Sequence, residues 1–74
     1  MKYYFWNCFK DGNGYKIKNI EDRMIADSKK DALNFIEKHL RGYFILSPSK
    51  YADKYETNIP NEVYKCFEKI ERIL

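Results

Sequence analysis

Asp11, Asn13 and Asp22 stand at the first, third and twelfth positions of a window that would suit a calcium loop. Such a loop also needs an oxygen donor at its fifth position and a glycine at its sixth, where the chain must turn sharply. This sequence has Tyr15 and Lys16 there. Gly12 and Gly14 form a G-x-G. A dinucleotide cradle needs a third glycine and a helix opening directly behind it, and a P-loop needs G-K-[S/T]. Neither follows, and the residues after Gly14 alternate as in a strand. The stretch FKDGNGYKIK therefore reads as a hairpin turn, with the glycines, Gly14 included, supplying the positive φ that tight turns demand. His39 is the single histidine, and no serine or cysteine lies at a spacing that ties it into a nucleophile–base pair. The acidic residues lie scattered along polar faces, and no general-acid pair stands out. Cys8 and Cys66 are too few for a disulfide framework and too far apart in sequence for a zinc knuckle, so they read as buried thiols in a reducing compartment. No catalytic residue, metal site or cofactor is expected, and the chain is not expected to be an enzyme.

What remains is binding. The chain has 74 residues with 14 basic and 11 acidic side chains, a net charge of +3. That is a mild bias for a nucleic-acid binder of this size. Seven tyrosines, five phenylalanines and one tryptophan are too many rings for so small a core, so several should face solvent or a partner. Exposed tyrosines make rigid, amphipathic contacts at little entropic cost. Tyr43, Tyr51, Tyr55 and Tyr64 cannot all be interior. Tyr51, Tyr55 and Tyr64 are the candidate partner-binding residues, with Lys50, Asp53, Lys54 and Glu56 as a mixed polar rim. The alternative is a nucleic-acid surface in which Lys16, Lys18 and Arg23 meet phosphates while Tyr4 and Trp6 stack on bases. The run YYFWNCF lacks the glycine-flanked aromatics of an RNA-recognition motif.

Positioning these residues requires one domain spanning residues 1–74. Lys2 to Lys10 reads as a strand, with Tyr3, Phe5 and Phe9 on one face and Tyr4, Trp6 and Cys8 on the other. Tyr15 to Ile20 is the return strand, Glu21-Asp22 a turn, and Arg23 to Ala26 a third strand. Ser28 is a helix N-cap with Asp31 in the capping-box position. Ala32, Leu33, Phe35, Ile36, His39 and Leu40 then repeat at helical spacing, up to a left-handed cap at Gly42. Tyr43 to Leu46 predicts a fourth strand, ended by Ser47-Pro48. Residues 47–59 fit either a short helix capped by Ser47 or a loop. From Pro60 onward, Val63, Phe67, Ile70 and Leu74 line one face of an amphipathic helix, with Lys65, Glu68, Lys69, Glu71 and Arg72 opposite. The expected fold is α+β: a small hairpin-rich antiparallel sheet in βββαβ order, with a C-terminal amphipathic helix packed on it.

The residues MKYYF, then F-x-DGNGY-x-I, a short strand ending ADS, and KKDALNFI together resemble the N-terminal domain of HicB-type antitoxins over residues 1–40. The resemblance implies a partial RNase-H-like unit that masks a small toxin. The chain lacks that family's Pro- and Gly-bearing loop between the second and third strands, and carries no segment like its DNA-binding tail. In general style, compact and rich in Tyr, Lys and Asn, it is also similar to small phage-encoded inhibitors such as anti-CRISPR proteins. Both likenesses imply inhibition by occlusion of a larger protein or ribonucleoprotein. The N-terminus shows no signal-peptide pattern and no apolar run is long enough for a bilayer. A cytoplasmic location and a monomer or homodimer are expected.

Overall fold

A computed structural model describes residues 1–12, 14–55, 59–64 and 66–72. Strand β1 (Tyr3–Asp11) turns at Gly12 into β2 (Gly14–Ile17), and a 3-10 turn at Ile20–Asp22 leads into β3 (Met24–Ala26). Helix α1 (Lys29–His39), strand β4 (Gly42–Pro48), short helices α2 (Ser49–Ala52) and α3 (Asn61–Tyr64), and strand β5 (Glu68–Arg72) follow. The five strands make one antiparallel sheet in the order β2-β1-β4-β5. β3 shares an edge of β1 with β2: β2 pairs Cys8 to Asp11, and β3 pairs Tyr3 to Phe5. The domain is α+β.

Both faces of the sheet are covered, because β1 and β4 are apolar on both sides. On one face Phe5, Phe44 and Leu46 pack beneath Ala32 and Ile36 of α1, with Met24, Leu33 and Ile70 around them. On the other, Trp6, Cys8 and Ile45 pack beneath Ala52, Ile59 and Phe67, with Tyr15, Ile17 and Tyr55 at the margin. The register explains the sorting. Phe5 lies opposite Leu46 and Trp6 opposite Ile45, so alternation sends each pair to its own face.

Helix α1 begins where its cap dictates. The Ser28 hydroxyl accepts from the Asp31 amide at 3.1 Å, which satisfies one of the unpaired donors of the first turn. The helix ends at Leu40, an extended residue, and not at Gly42. Gly42 does adopt a positive φ of 109°, but as the first residue of β4. Ser47 does not cap a helix either. It is buried at the end of β4, its hydroxyl donating to the Pro48 carbonyl, and α2 starts at Ser49 with no side-chain cap.

The expected C-terminal amphipathic helix is corrected by the structure. Helical geometry stops at α3, and Glu68 to Arg72 is a strand paired with β4 from Leu46 to Gly42. Phe67 and Ile70 lie in different clusters, on opposite sides of the sheet. The physical reason is β4. With Phe44, Ile45 and Leu46 buried, its second row of backbone donors and acceptors needs partners out of water, and only another strand supplies them in register.

The turn is also refined. Gly12 has φ 62°, while Gly14 begins β2 without a positive φ. A Cβ at Gly12 meets nothing within 4 Å, so the obstacle there is backbone strain alone. Gly12→Val is therefore expected to destabilise by ~1–3 kcal/mol. Gly14→Val, whose Cβ would make an ordinary 3.8 Å contact with the Asp11 carbonyl, should leave the urea midpoint close to that of the parent.

Candidate functional site

The β1–β4 register carries the chain's first residues to the start of α2. Tyr3 lies opposite Pro48, and the Ser49 amide donates to the Lys2 carbonyl at 2.9 Å. Met1 is thereby brought beside α2, and together Met1, Pro48, Lys50, Tyr51 and Lys54 line an open, mainly apolar groove of about 240 Å³. Met1 is 75% exposed and Tyr51 44%. Beneath the groove the Tyr51 ring stands edge-on to Phe67, centroids 5.8 Å apart, and Phe67 stacks on Trp6 at 6.2 Å. A hydrogen bond to the Cys66 thiol holds the Tyr51 phenol above its ordinary pKa. Tyr51 is thus an exposed ring on a rigid aromatic base. Lys50 and Lys54, both exposed, frame it with positive charge.

Tyr55 is half-buried and packs at the margin of the Trp6 cluster. It is more a support of the groove's base than a contact surface. The side chain of Tyr64 lies outside what the structure describes. Tyr43, also half-buried, packs against Tyr15 at 5.9 Å, with the Lys10 ammonium 5.0 Å from its ring centre.

The cationic candidates are separated. Lys16 pairs with Asp11 across the hairpin at 3.2 Å, which also engages the leading carboxylate of the would-be calcium loop. The Arg23 guanidinium lies 3.9 Å from the centre of the Tyr4 ring. The Tyr4 hydroxyl in turn donates to Asp53 at 2.7 Å, and that bond holds its phenol above the ordinary value. Lys18 is exposed just past the end of β2. Trp6, proposed as a base-stacking ring, is 2% exposed and belongs to the core. His39 is exposed and packs on Phe35 at 4.9 Å. Among the described residues no three metal-ligating side chains come together. No helix among them is long and apolar enough to cross a membrane.

Sequence reasoning missed Met1 and Pro48 as groove walls. It also missed a second groove of about 400 Å³ on the α1 side, where Ile25 and Phe35 are exposed beside Asp27 and Asp31. Lys50, Tyr51 and Lys54 lie within one helical turn of each other, a signal that the sequence does hold. Comparison with protein-family models, curated proteins and solved structures finds no match to this chain.

The two thiols differ sharply. Cys8 is buried and Cys66 exposed. Desolvation pushes Cys8 from an ordinary 9.0 up to about 11, against the weaker opposing effect of Lys18 and Lys69. The fold therefore favours the protonated thiol. This contribution to stability is fully present below pH 9.0, where the unfolded thiol ionises, and is lost as pH rises to about 11. A thiol reagent at pH 8 should modify Cys66 at once and Cys8 only as fast as the chain unfolds. Cys8→Ala should make the alkaline loss of stability shallower.

Proposed function

We propose that this chain is a non-enzymatic binding protein that inhibits a larger protein or ribonucleoprotein by occluding its surface. The carrying observation is the groove of Met1, Pro48 and Tyr51 framed by Lys50 and Lys54. An exposed tyrosine on a buried aromatic base is the kind of anchor on which interfaces concentrate their energy. The two lysines favour a partner that presents an apolar side chain among acidic neighbours. On this reading the chain works in the cytoplasm as a stoichiometric blocker, as do the antitoxins and small phage-encoded inhibitors that its sequence resembles, and its gene belongs to a phage or mobile element. The nucleic-acid alternative has less support. Of its three cations, Lys16 is engaged by Asp11 and Arg23 by Tyr4.

Affinity capture from a host lysate would supply the partner, and Tyr51→Ala then tests the site. Truncating an anchor of this kind weakens binding by ~2 kcal/mol or more, roughly thirtyfold in Kd. Lys50→Ala should change mainly the association rate and its salt dependence. Tight oligonucleotide binding that falls steeply with salt and disappears in Lys16→Ala/Lys18→Ala would overturn the proposal in favour of the alternative.

A further inference from the structure

The two lateral edges of the sheet are unlike. One consists of β2 and β3, interrupted by the 3-10 turn at Ile20–Asp22, so its outer backbone offers no continuous row of donors and acceptors. The other is β5, unbroken from Glu68 to Arg72 and, among the described residues, paired with β4 on one side only. A strand in that position is a template for another strand laid beside it.

The sequence of β5 is EKIER. Two copies laid antiparallel with Ile70 opposite Ile70 bring Glu68 of each against Arg72 of the other, and Lys69 against Glu71. Every charged position meets its opposite. The faces also agree: Glu68, Ile70 and Arg72 alternate with Lys69 and Glu71 along the strand, so each pair shares a face. Directly opposed side chains in an antiparallel ladder have Cβ atoms about 5 Å apart, within reach of an ion pair. Neighbouring registers fail the same test. A slip of one residue sets Lys69 against Arg72, or Glu68 against Glu71. A slip of two sets Lys69 against Lys69, or Glu71 against Glu71.

The existing contacts place these side chains along the edge. Lys29 Nζ lies 2.7 Å from Glu68 Oε2, and Arg72 Nε donates to the Glu37 carbonyl at 3.3 Å. A carboxylate has two oxygens, so Glu68 can take a further partner. A charged edge can serve simply to discourage pairing. Charges placed only for that purpose have no reason to be self-complementary about one central residue.

We infer that the chain forms a two-fold dimer by antiparallel β5–β5 pairing centred on Ile70, which joins the two sheets into one. The occupant of this edge is a second copy of the same chain. The inference stands apart from the inhibitory reading, since it uses neither the groove nor any tyrosine.

Light scattering across a concentration series should show the wild-type chain approaching twice its chain mass. Lys69→Glu and Glu71→Lys each turn two attractive pairs into two repulsive ones, and each should weaken association roughly tenfold or more. An equimolar mixture of the two variants should associate again, because every pair across the mixed interface is then of opposite sign. Circular dichroism checks that each variant is folded. Amide exchange on the wild-type protein needs no variant: protection in β5 should rise with concentration while that of β2 stays constant. A chain that remains monomeric up to its solubility limit overturns the inference. So does a dimer indifferent to both substitutions, or one that mixing fails to restore.

Discussion

Phe44→Ala is expected to abolish most of the cooperative unfolding transition. Phe44 is 0% exposed, sits in the central strand β4 opposite Asn7 of β1 and Ile70 of β5, and fills the cluster under α1. Removing a buried phenylalanine ring forfeits its transfer energy and leaves a cavity, together ~3–5 kcal/mol. A domain of 74 residues has only about 4–11 kcal/mol to lose. The cavity cannot readily collapse, because the neighbouring backbone is fixed by strands on both sides. Urea titration followed by circular dichroism should show a midpoint far below the parent's, or no native baseline at all. A midpoint within experimental error of the parent's would mean that β4 is not the centre of the sheet.

Phe67→Ala should have a comparable effect through the opposite face. Phe67 is 4% exposed and lies parallel to Trp6, with Tyr51 edge-on behind it. Truncation removes ~3–5 kcal/mol of burial, and the aromatic pairs add ~0.5–1.5 kcal/mol beyond area alone. The experiment has an internal reporter, because Trp6 is the single tryptophan. In whatever fraction stays folded, Trp6 emission should shift to the red as its covering ring is lost. In Phe44→Ala, on the far side of the sheet, the folded baseline should keep the parent's emission. Identical spectra for the two variants would contradict the two-cluster core.

These two phenylalanines also mark what the sequence makes legible. Burial at both positions follows from apolar patterning, and the two-faced alternation of β1 is plain in YYFWNCF. Helix α1 is equally legible, since Ser28, Asp31 and the buried Ala32 and Ile36 form a local and mutually consistent signal. The C-terminal segment is different. Val63, Phe67 and Ile70 fit a helical period, and nothing nearby contradicts it. The deciding influence is the open edge of β4, more than twenty residues earlier in the chain, and no local window contains that information. Gly42 shows the same limit on a smaller scale. Its need for a positive φ is visible, but whether it ends a helix or begins a strand depends on the register of β4.

The candidate groove was legible only in its helical half. Tyr51 stands out as a ring beyond the capacity of the core, with Lys50 and Lys54 at helical spacing around it. Met1 and Pro48 meet only because β1 pairs with β4 across most of the chain. The cationic alternative looked stronger in sequence than in space, since Lys16, Lys18 and Arg23 are close along the chain. Two of the three turn out to face an internal carboxylate or ring.

The pairing of β1 with β4 has a further consequence during synthesis. β1 leaves the ribosome before β4, and one of its two sides acquires a partner only when Tyr43 to Pro48 emerge. At ~5–20 residues per second that is a delay of a few seconds. Through that interval a run of aromatic and apolar side chains, apolar on both faces, stands in a nascent chain with one side unpaired. Lys2 and Lys10 bracket this run, in the place where gatekeeper charges oppose stacking between neighbouring chains. Lys10, which in the finished fold lies over the Tyr43 ring, is thus placed to act with Lys2 in the period before that ring arrives.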